Sequence, residues 1–443
     1  MKCSPNKSFF TLLALACLAA RVLAADFFIH EGDRVVFLGD SITEQRLYTT
    51  YIEAYALTRH PQWQLSFRNV GWGGDTAWLR QRAHPDEAQL YAADESNQQK
   101  MVEDAVGRGL SRDVLPLKPT AVTVDFGMND HAYQPFRKDI FRAYVRSQAE
   151  IAKVLKANGV RVALLTPQPI EDKRPDPDQD VRNQSLRKFS DGLKGVAAKA
   201  GVTFGDQFDP YMTILLRERA ANPKTLIGGG DAVHPGPIGH TIMAWAILKE
   251  LGAPALVSRA EINRATLQVV AAEACLVQNL KLVDGIISFD RLDDALPMSV
   301  DPAAEPALKL APILDDLNRY ELGISGLAPG AYELTIDGEM AGKTTAEELG
   351  KRWNLAAQDG PITKQSQELL KLVIQKNNLY FNRWRNVQLY SFPAWAQTPE
   401  AESQRLIELG RLDQKIAEYE AQIEKVRKPQ LRHFELKPAG QGR

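Results

Sequence analysis

The chain has 443 residues, of which 44% are hydrophobic and 25% charged, and its formal net charge is −1. This is ordinary globular composition, so it excludes a disordered chain, a collagen-like fibre and a disulfide-stapled miniprotein. The near-zero charge removes any global electrostatic case for nucleic acid or an anionic membrane surface as a partner. The length favours two domains.

Residues 1–24 have the pattern of a signal peptide. Lys2 and Lys7 form a basic start, residues 9–20 form an apolar run too short to span a bilayer comfortably, and a cleavage site follows at Ala24. A first core helix and a lipoprotein processed at Cys17 are weaker alternatives. We therefore expect export to the periplasm or beyond, with no membrane segment in the mature chain. Cys275 is then the only remaining cysteine, which excludes an intramolecular disulfide.

Residues 25–255 are predicted to form an α/β domain. Short apolar runs alternate with longer helical patterns, and the runs lie at residues 34–38, 65–70, 120–126, 161–166 and 202–204. Such alternation predicts a parallel sheet covered by helices on both faces. Ligands of such sheets bind outside the carboxyl ends of the strands, so we expect the functional residues there.

Residues 256–443 are predicted to form a C-terminal extension that is first β-rich and then helical. Residues 320–324 and 332–336 alternate in polarity around Pro329-Gly330, which predicts a β-hairpin. Further on, apolar residues spaced three and four apart form a narrow stripe that comprises Leu409, Leu412, Ile416, Tyr419, Ile423 and Val426. The stripe indicates a helix docked on its own domain or paired with residues 369–381, and a dimer seam is the alternative.

A serine stands where the first strand gives way to a helix. Ser41, in Gly-Asp-Ser-Ile, would place its hydroxyl at the carboxyl edge of the sheet and its amide at a helix N-terminus, where an anion is favoured. Its alternative role is that of a helix cap. Of the seven histidines, only His234 has an aspartate three residues before it, Asp231. This pair could orient a general base, although a turn histidine bonded to a neighbour is the alternative.

Two further blocks could supply hydrogen-bond donors to an oxyanion. Gly74 lies in a glycine-rich segment after the second strand, where the absence of a side chain lets an amide approach a substrate closely. Asn129 follows the third strand and offers a side-chain amide. Each block alone would be ordinary turn chemistry. Their combination with Ser41, Asp231 and His234, each beside a strand end or before the last helix of the domain, is the stronger signal.

Taken in this order, the four blocks resemble those of the SGNH (GDSL-type) serine hydrolases, over roughly residues 26–251. The resemblance implies a three-layer α/β/α sandwich similar to flavodoxin, with about five parallel strands. It also implies acyl transfer in which Ser41 is the nucleophile, His234 the base and Asp231 its orienting partner. The implied oxyanion hole consists of the Ser41 and Gly74 amides and the Asn129 side chain. No metal or cofactor is implied.

These features predict an exported serine esterase that acts on a small-molecule or polysaccharide ester. A carbohydrate O-acetylesterase is favoured by the export signal, the absence of a long apolar lid, and Trp72 and Trp78 near the glycine block. A lipase or lysophospholipase is one alternative. A catalytically silent protein that binds a glycan or a partner on the same fold is the other.

Overall fold

A computed structural model describes residues 27–174 and 176–440 of the chain. The predicted signal peptide, residues 1–24, lies outside the described residues, so its assignment stays a prediction. No helix in the described ranges is both long and apolar enough to cross a membrane.

The first sheet is parallel and has five strands, as predicted. In chain order they are β1 (Arg34–Gly39), β2 (Ser66–Asn69), β3 (Ala121–Asp125), β4 (Arg161–Leu165) and β5 (Thr203–Gly205). Their spatial order is β2-β1-β3-β4-β5, with every neighbouring pair parallel. This is the strand order of flavodoxin-like folds, in which ligands bind where the order reverses, beside β1 and β3.

Helices cover both faces of this sheet because its strands are apolar on both faces. Val35 and Phe37 of β1 belong to one apolar cluster, and Val36 and Leu38 belong to another. The helices, in chain order, are α1 (Ser41–Glu44), α2 (Leu47–Arg59), α3 (Arg80–Ala83), α4 (Glu87–Ala92), α5 (Glu95–Asp113), α6 (Lys138–Ala157), α7 (Val181–Ala200), α8 (Phe208–Ala221) and α9 (Pro237–Glu250). Helices α2, α8 and α9 bury residues in the first cluster, and α5, α6 and α7 in the second. The predicted three-layer sandwich is therefore confirmed.

The extension contains a second sandwich, made only of β-sheets. Its strands are β6 (Leu256–Asn263), β7 (Gln268–Glu273), β8 (Cys275–Val283), β9 (Ile286–Asp293), β10 (Arg319–Ser325), β11 (Ala331–Ile336), β12 (Glu339–Thr345), β13 (Trp353–Asn354) and β14 (Arg432–Pro438). One sheet has the order β13-β10-β6-β7 and the other β12-β11-β14-β9-β8. Apolar side chains from both sheets share one core cluster, so the sheets pack face to face.

The predicted hairpin between residues 320–324 and 332–336 is wrong in its pairing, although both segments are strands. β10 pairs with β6 and β13, whereas β11 lies in the other sheet and pairs with β12 and β14. The alternating pattern predicts a strand with a buried face but does not specify its partner. Here residues 326–330 carry the chain from one sheet to the other, beginning at Gly326 with a φ of +76°.

Short helices α10 (Ala307–Leu310), α11 (Ile313–Leu317) and α12 (Ala346–Gly350) connect these strands, and two long helices follow β13. We use the name helical hairpin for α13 (Pro361–Phe381), the π-helical turn Asn382–Gln388, α14 (Pro399–Val426) and the loop before α14. α13 contacts both α14 and α2. Leu412, Ile416 and Ile423 of the predicted stripe are buried. The stripe therefore contributes to the pairing of α14 with α13, which was one of the three predicted arrangements.

Candidate active site

Ser41 lies at the carboxyl end of β1, on a tight turn. The turn needs Gly39, since a β-carbon there would collide with the Thr43 side chain and with the carbonyl of Asp125. Asp40 caps α1, because its carboxylate accepts the amide hydrogen of Ile42 at 2.9 Å and so stabilises the turn. Ser41 is half-buried at this edge of the sheet.

The structure brings Ser41, His234 and Asp231 into one hydrogen-bonded chain. Ser41 Oγ is 2.9 Å from His234 Nε2, and His234 Nδ1 is 3.0 Å from Asp231 Oδ2. Asp231 also accepts the amide hydrogens of Val233 and His234, at 2.8 and 2.7 Å, through its other oxygen. Desolvation by burial raises the pKa of the Asp231 carboxyl, but these hydrogen bonds lower it. The net result is a pKa below the ordinary value. Asp231 therefore remains ionised at neutral pH and can accept a hydrogen bond from the imidazole.

A buried glutamate that the sequence analysis did not single out fixes the loop carrying Asp231 and His234. Glu171, after β4, accepts hydrogen bonds from the Gly228 amide at 2.9 Å, from the Tyr211 hydroxyl at 3.0 Å and from the Ile227 amide. Its own amide donates to the carbonyl of Ala232 at 2.9 Å. One residue thus ties the loop on both sides of Asp231. A lone glutamate in an acidic, proline-containing loop gives no pattern by which to find it.

The glycine block lies against Ser41. A β-carbon on Gly73 would be 2.7 Å from the Glu44 carboxylate and 3.9 Å from the Ser41 β-carbon. Gly74 has a φ of +76°, the left-handed region that favours glycine. The Gly73 amide donates to Glu44 Oε2 at 2.8 Å, so the block is tied to the helix that begins at Ser41.

Asn129 lies at the carboxyl end of β3, held at both ends of its side-chain amide. Its Nδ2 donates to the carbonyl of Asp75 at 3.0 Å, and its Oδ1 accepts from the Tyr133 hydroxyl at 3.0 Å. The first bond uses one of the two Nδ2 hydrogens, so a second remains. Asp130 links the same blocks by accepting the amide hydrogen of Ala77 at 2.8 Å.

Donors in three of these blocks are available to a ligand. Among the described residues, neither the Ser41 amide nor the Gly74 amide has a hydrogen-bond acceptor. Together with the second Nδ2 hydrogen of Asn129, these amides are donors that a ligand could use.

Titratable groups beneath the site are shielded from water. Burial, reinforced by the charge of Asp125, raises the pKa of Asp40 well above its ordinary value. Burial also raises the pKa of Asp125 and that of Asp130 to about 7. Burial lowers the pKa of His240 to about 3. This ring pairs with Gln45 at 2.8 Å and has a structural role.

The tryptophans that favoured a carbohydrate substrate do not form a binding platform. Trp78 is fully buried, and its Nε1 donates to Glu87 at 2.7 Å. Trp72 is half-buried, with the guanidinium carbons of Arg385 and Arg112 at 3.7 and 5.0 Å from its ring centroid. This part of the argument for carbohydrate therefore falls away. Among the described residues, His, Cys, Asp and Glu side chains form no group of three or more that could hold a metal ion.

The chain is similar to several known proteins. Residues 37–242 match the model of the GDSL-like lipase/acylhydrolase family. An acetylxylan esterase of Geobacillus stearothermophilus is 27% identical over 235 residues, which are 51% of this chain and 96% of that protein. The solved structure of a gut microbial diltiazem-metabolizing enzyme is similar with a TM-score of 0.77 and 26% identity, over 93% of this chain and 98% of that one.

The fold and the matched region are those of a hydrolase of the SGNH type. Residues 37–242 form a domain similar to the GDSL-like lipase/acylhydrolase family, and the chain is a carboxylic ester hydrolase.

Proposed function

We propose that this esterase works through a triad of Ser41, His234 and Asp231. The observation that carries the proposal is the 2.9 Å contact between Ser41 Oγ and His234 Nε2, continued at 3.0 Å from His234 Nδ1 to Asp231. A serine hydroxyl is a weak nucleophile unless a base removes its proton, and this contact supplies the base.

The reaction would proceed in two halves. Ser41 Oγ attacks the ester carbonyl while its proton passes to His234 Nε2. Collapse of the tetrahedral intermediate breaks the bond to the alcohol oxygen, which takes that proton from His234 and leaves. Water then attacks the acyl-Ser41 ester with His234 again as the base, which releases the acid and regenerates the serine.

The negative oxygen of each intermediate would be held by the Ser41 amide, the Gly74 amide and the Asn129 side chain. The first two donors have no acceptor among the described residues, and the third keeps a free hydrogen. Donors fixed before the reaction stabilise charge without reorganisation, and removing one typically costs about 10²–10³ in turnover.

For the substrate we propose a short acyl ester, in particular an acetyl ester of a carbohydrate. The support is the similarity to the acetylxylan esterase over nearly its whole length. A second candidate is a small non-carbohydrate ester, favoured by the similarity to the diltiazem-metabolizing enzyme over both the hydrolase domain and the extension.

We also propose that the enzyme is exported, on the basis of the basic start, apolar run and cleavage site in residues 1–24. Expression of the full chain in a bacterial host, followed by N-terminal sequencing of the exported protein, should give a mature terminus at Ala25. An unprocessed chain retained in the cytoplasm would contradict this proposal.

The decisive test compares wild type with Ser41→Ala on p-nitrophenyl esters of increasing acyl length, on acetylated xylan and on diltiazem. We expect Ser41-dependent turnover that is fastest for acetyl esters, with release of acetate from the xylan. Preference for long acyl chains would instead favour a lipase. Equal background rates in both proteins would contradict the triad and favour a silent binding protein.

A further inference from the structure

The helical hairpin of the extension reaches the loop that carries Gly74. Arg385, in the π-helical turn, has its Nε 3.5 Å from Glu44 Oε1. The other oxygen of the same carboxylate accepts the amide hydrogen of Gly73 at 2.8 Å. One carboxylate therefore links the extension to the residue immediately before Gly74.

The same turn also contacts Trp72, the residue that precedes Gly73. The guanidinium carbon of Arg385 lies 3.7 Å from the centroid of the Trp72 ring, a cation–π contact. The buried Trp384 meets Trp72 edge to face, with their centroids 5.9 Å apart. The backbone that leads into Gly74 is thus held by a side chain at Trp72 and by an amide at Gly73.

A separate contact holds the segment after Ser41. Arg46 has a positive φ of 65°, a conformation that costs energy for a residue with a side chain and persists only where the surroundings fix it. Its Nε donates to Asn378 Oδ1 at 3.1 Å, and its guanidinium lies 4.1 Å from the Phe381 centroid. Its Nη1 donates to the Glu44 carbonyl at 2.5 Å. The end of α13 thereby fixes the chain just after Glu44.

The hairpin is itself firmly seated on the hydrolase domain. Lys376 and Glu53 form a fully buried ion pair between α13 and α2. Asn377 donates to Glu53 at 2.9 Å and to Thr50 at 3.0 Å. Positions further along α13 are consequently fixed relative to Ser41.

We propose that the helical hairpin positions the oxyanion hole, and that Arg385 is a positioning residue that acts through Glu44 and Gly73. The inference rests on the proposed function, because it concerns the Gly74 amide as an oxyanion donor. The peptide plane between Gly73 and Gly74 sets the direction of that amide, and Glu44 fixes one side of the plane. A misplacement of about 1 Å can cost about 10²-fold in rate. Loss of Arg385, which leaves the Glu44 contact to Gly73 in place, should cost about tenfold.

The test uses the full chain with Arg385→Ala, Arg385→Lys, Glu44→Gln and a matched control, Arg383→Ala. Arg383 lies in the same turn but pairs within the hairpin, with its Nε 2.7 Å from Asp413. For Arg385→Ala we expect kcat to fall about tenfold while KM changes less than about twofold. The reason is that the Gly74 amide, which Arg385 positions, stabilises the transition state rather than the bound substrate. Lysine restores the charge but not the planar stacking on Trp72, so it should recover the rate only in part. Arg383→Ala should keep the wild-type kcat.

A double-mutant cycle separates positioning from general destabilisation. If Arg385 acts through Glu44, the losses caused by Arg385→Ala and Glu44→Gln should be less than additive, because only the contact with Trp72 remains to be lost in the Glu44→Gln background. Melting temperatures of the variants should stay close to that of wild type. Equal kcat values for Arg385→Ala and Arg383→Ala would overturn the inference, and so would full additivity of the two changes.

Ser41→Ala, measured alongside, distinguishes this failure from failure of the proposed function. Turnover that survives Ser41→Ala would overturn both. Turnover that needs Ser41 but ignores Arg385 would overturn only the role of the hairpin.

Discussion

Tyr133 offers a sharp test of how the Asn129 amide is oriented. Its hydroxyl donates to Asn129 Oδ1 at 3.0 Å while Asn129 Nδ2 donates to the Asp75 carbonyl at 3.0 Å. Ala132 and Tyr133 both have a φ of 55°, and such strain gathers at functional sites where the surroundings maintain it. We therefore expect Tyr133→Phe to lower kcat by loosening the donor.

The size of the effect follows from what the substitution removes. Phenylalanine keeps the ring, which lies tilted against the His131 ring at a centroid distance of 5.0 Å, and deletes only the hydroxyl. A neutral hydrogen bond contributes about 0.5–1.5 kcal/mol, which corresponds to a kcat about two- to tenfold lower. Asn129→Ala removes a donor outright and should cost about 10²–10³.

The assay is kcat and KM for p-nitrophenyl acetate on both single variants and on the double variant. Tyr390→Phe is the matched control, because Tyr390 is an exposed tyrosine on the helical hairpin. If Tyr133 acts only through Asn129, Tyr133→Phe should have no further effect in the Asn129→Ala background. A wild-type rate for Tyr133→Phe, or the same loss in both backgrounds, would refute the reasoning.

Two predictions concern stability. Because burial raises the pKa of Asp125 from 3.8 to about 7, the folded chain keeps a proton that the unfolded chain releases, so the free energy of unfolding should fall as pH rises through that interval. In Asp125→Asn, the urea midpoint should fall less between pH 5 and pH 8 than it does in wild type. An equal fall of the midpoint in both proteins would contradict the prediction. Lys376→Met leaves Glu53 buried without its cation and should cost about 3–5 kcal/mol in urea unfolding. Adding Glu53→Leu should recover much of that loss, and simple additivity would count against a buried pair.

The sequence predicted those parts of the site that follow from strand order. Ser41, Gly74 and Asn129 each follow a strand, and in a parallel sheet with adjacent strands their carboxyl ends must meet at one edge. The i, i+3 spacing of Asp231 and His234 likewise corresponds to the observed 3.0 Å contact. Strand order and residue spacing were therefore sufficient to predict where these residues lie, whereas their roles were implied only by the family resemblance.

Side-chain contacts between distant segments gave no such signal. Glu171, Tyr133 and Arg385 are single polar residues in loops or turns, and nothing local distinguishes them from solvated neighbours. Trp78 was misinterpreted for the same reason. A tryptophan near a glycine block is equally compatible with a binding platform and with the core, and Trp78 lies in the core. The predicted pairing of β10 with β11 was wrong for a related reason. Alternating polarity indicates that a strand has one buried face, but it does not indicate which strand it pairs with.

The path of the chain explains how the extension can act on a site built from the first half. The helical hairpin is inserted between β13 and β14, so both of its ends are tied to the β-sandwich. The β-sandwich is docked in turn on the hydrolase domain through α11, which precedes β10. Arg59 of α2 donates to the Leu317 carbonyl at 2.8 Å, and Trp245 of α9 donates to Asp316 at 2.9 Å. A segment fixed at both ends has less freedom to lose on docking, which lowers the entropic cost of holding it against the catalytic turn. The sandwich therefore serves as the base from which the hairpin reaches Glu44, and this requires the two halves of the chain to fold against each other.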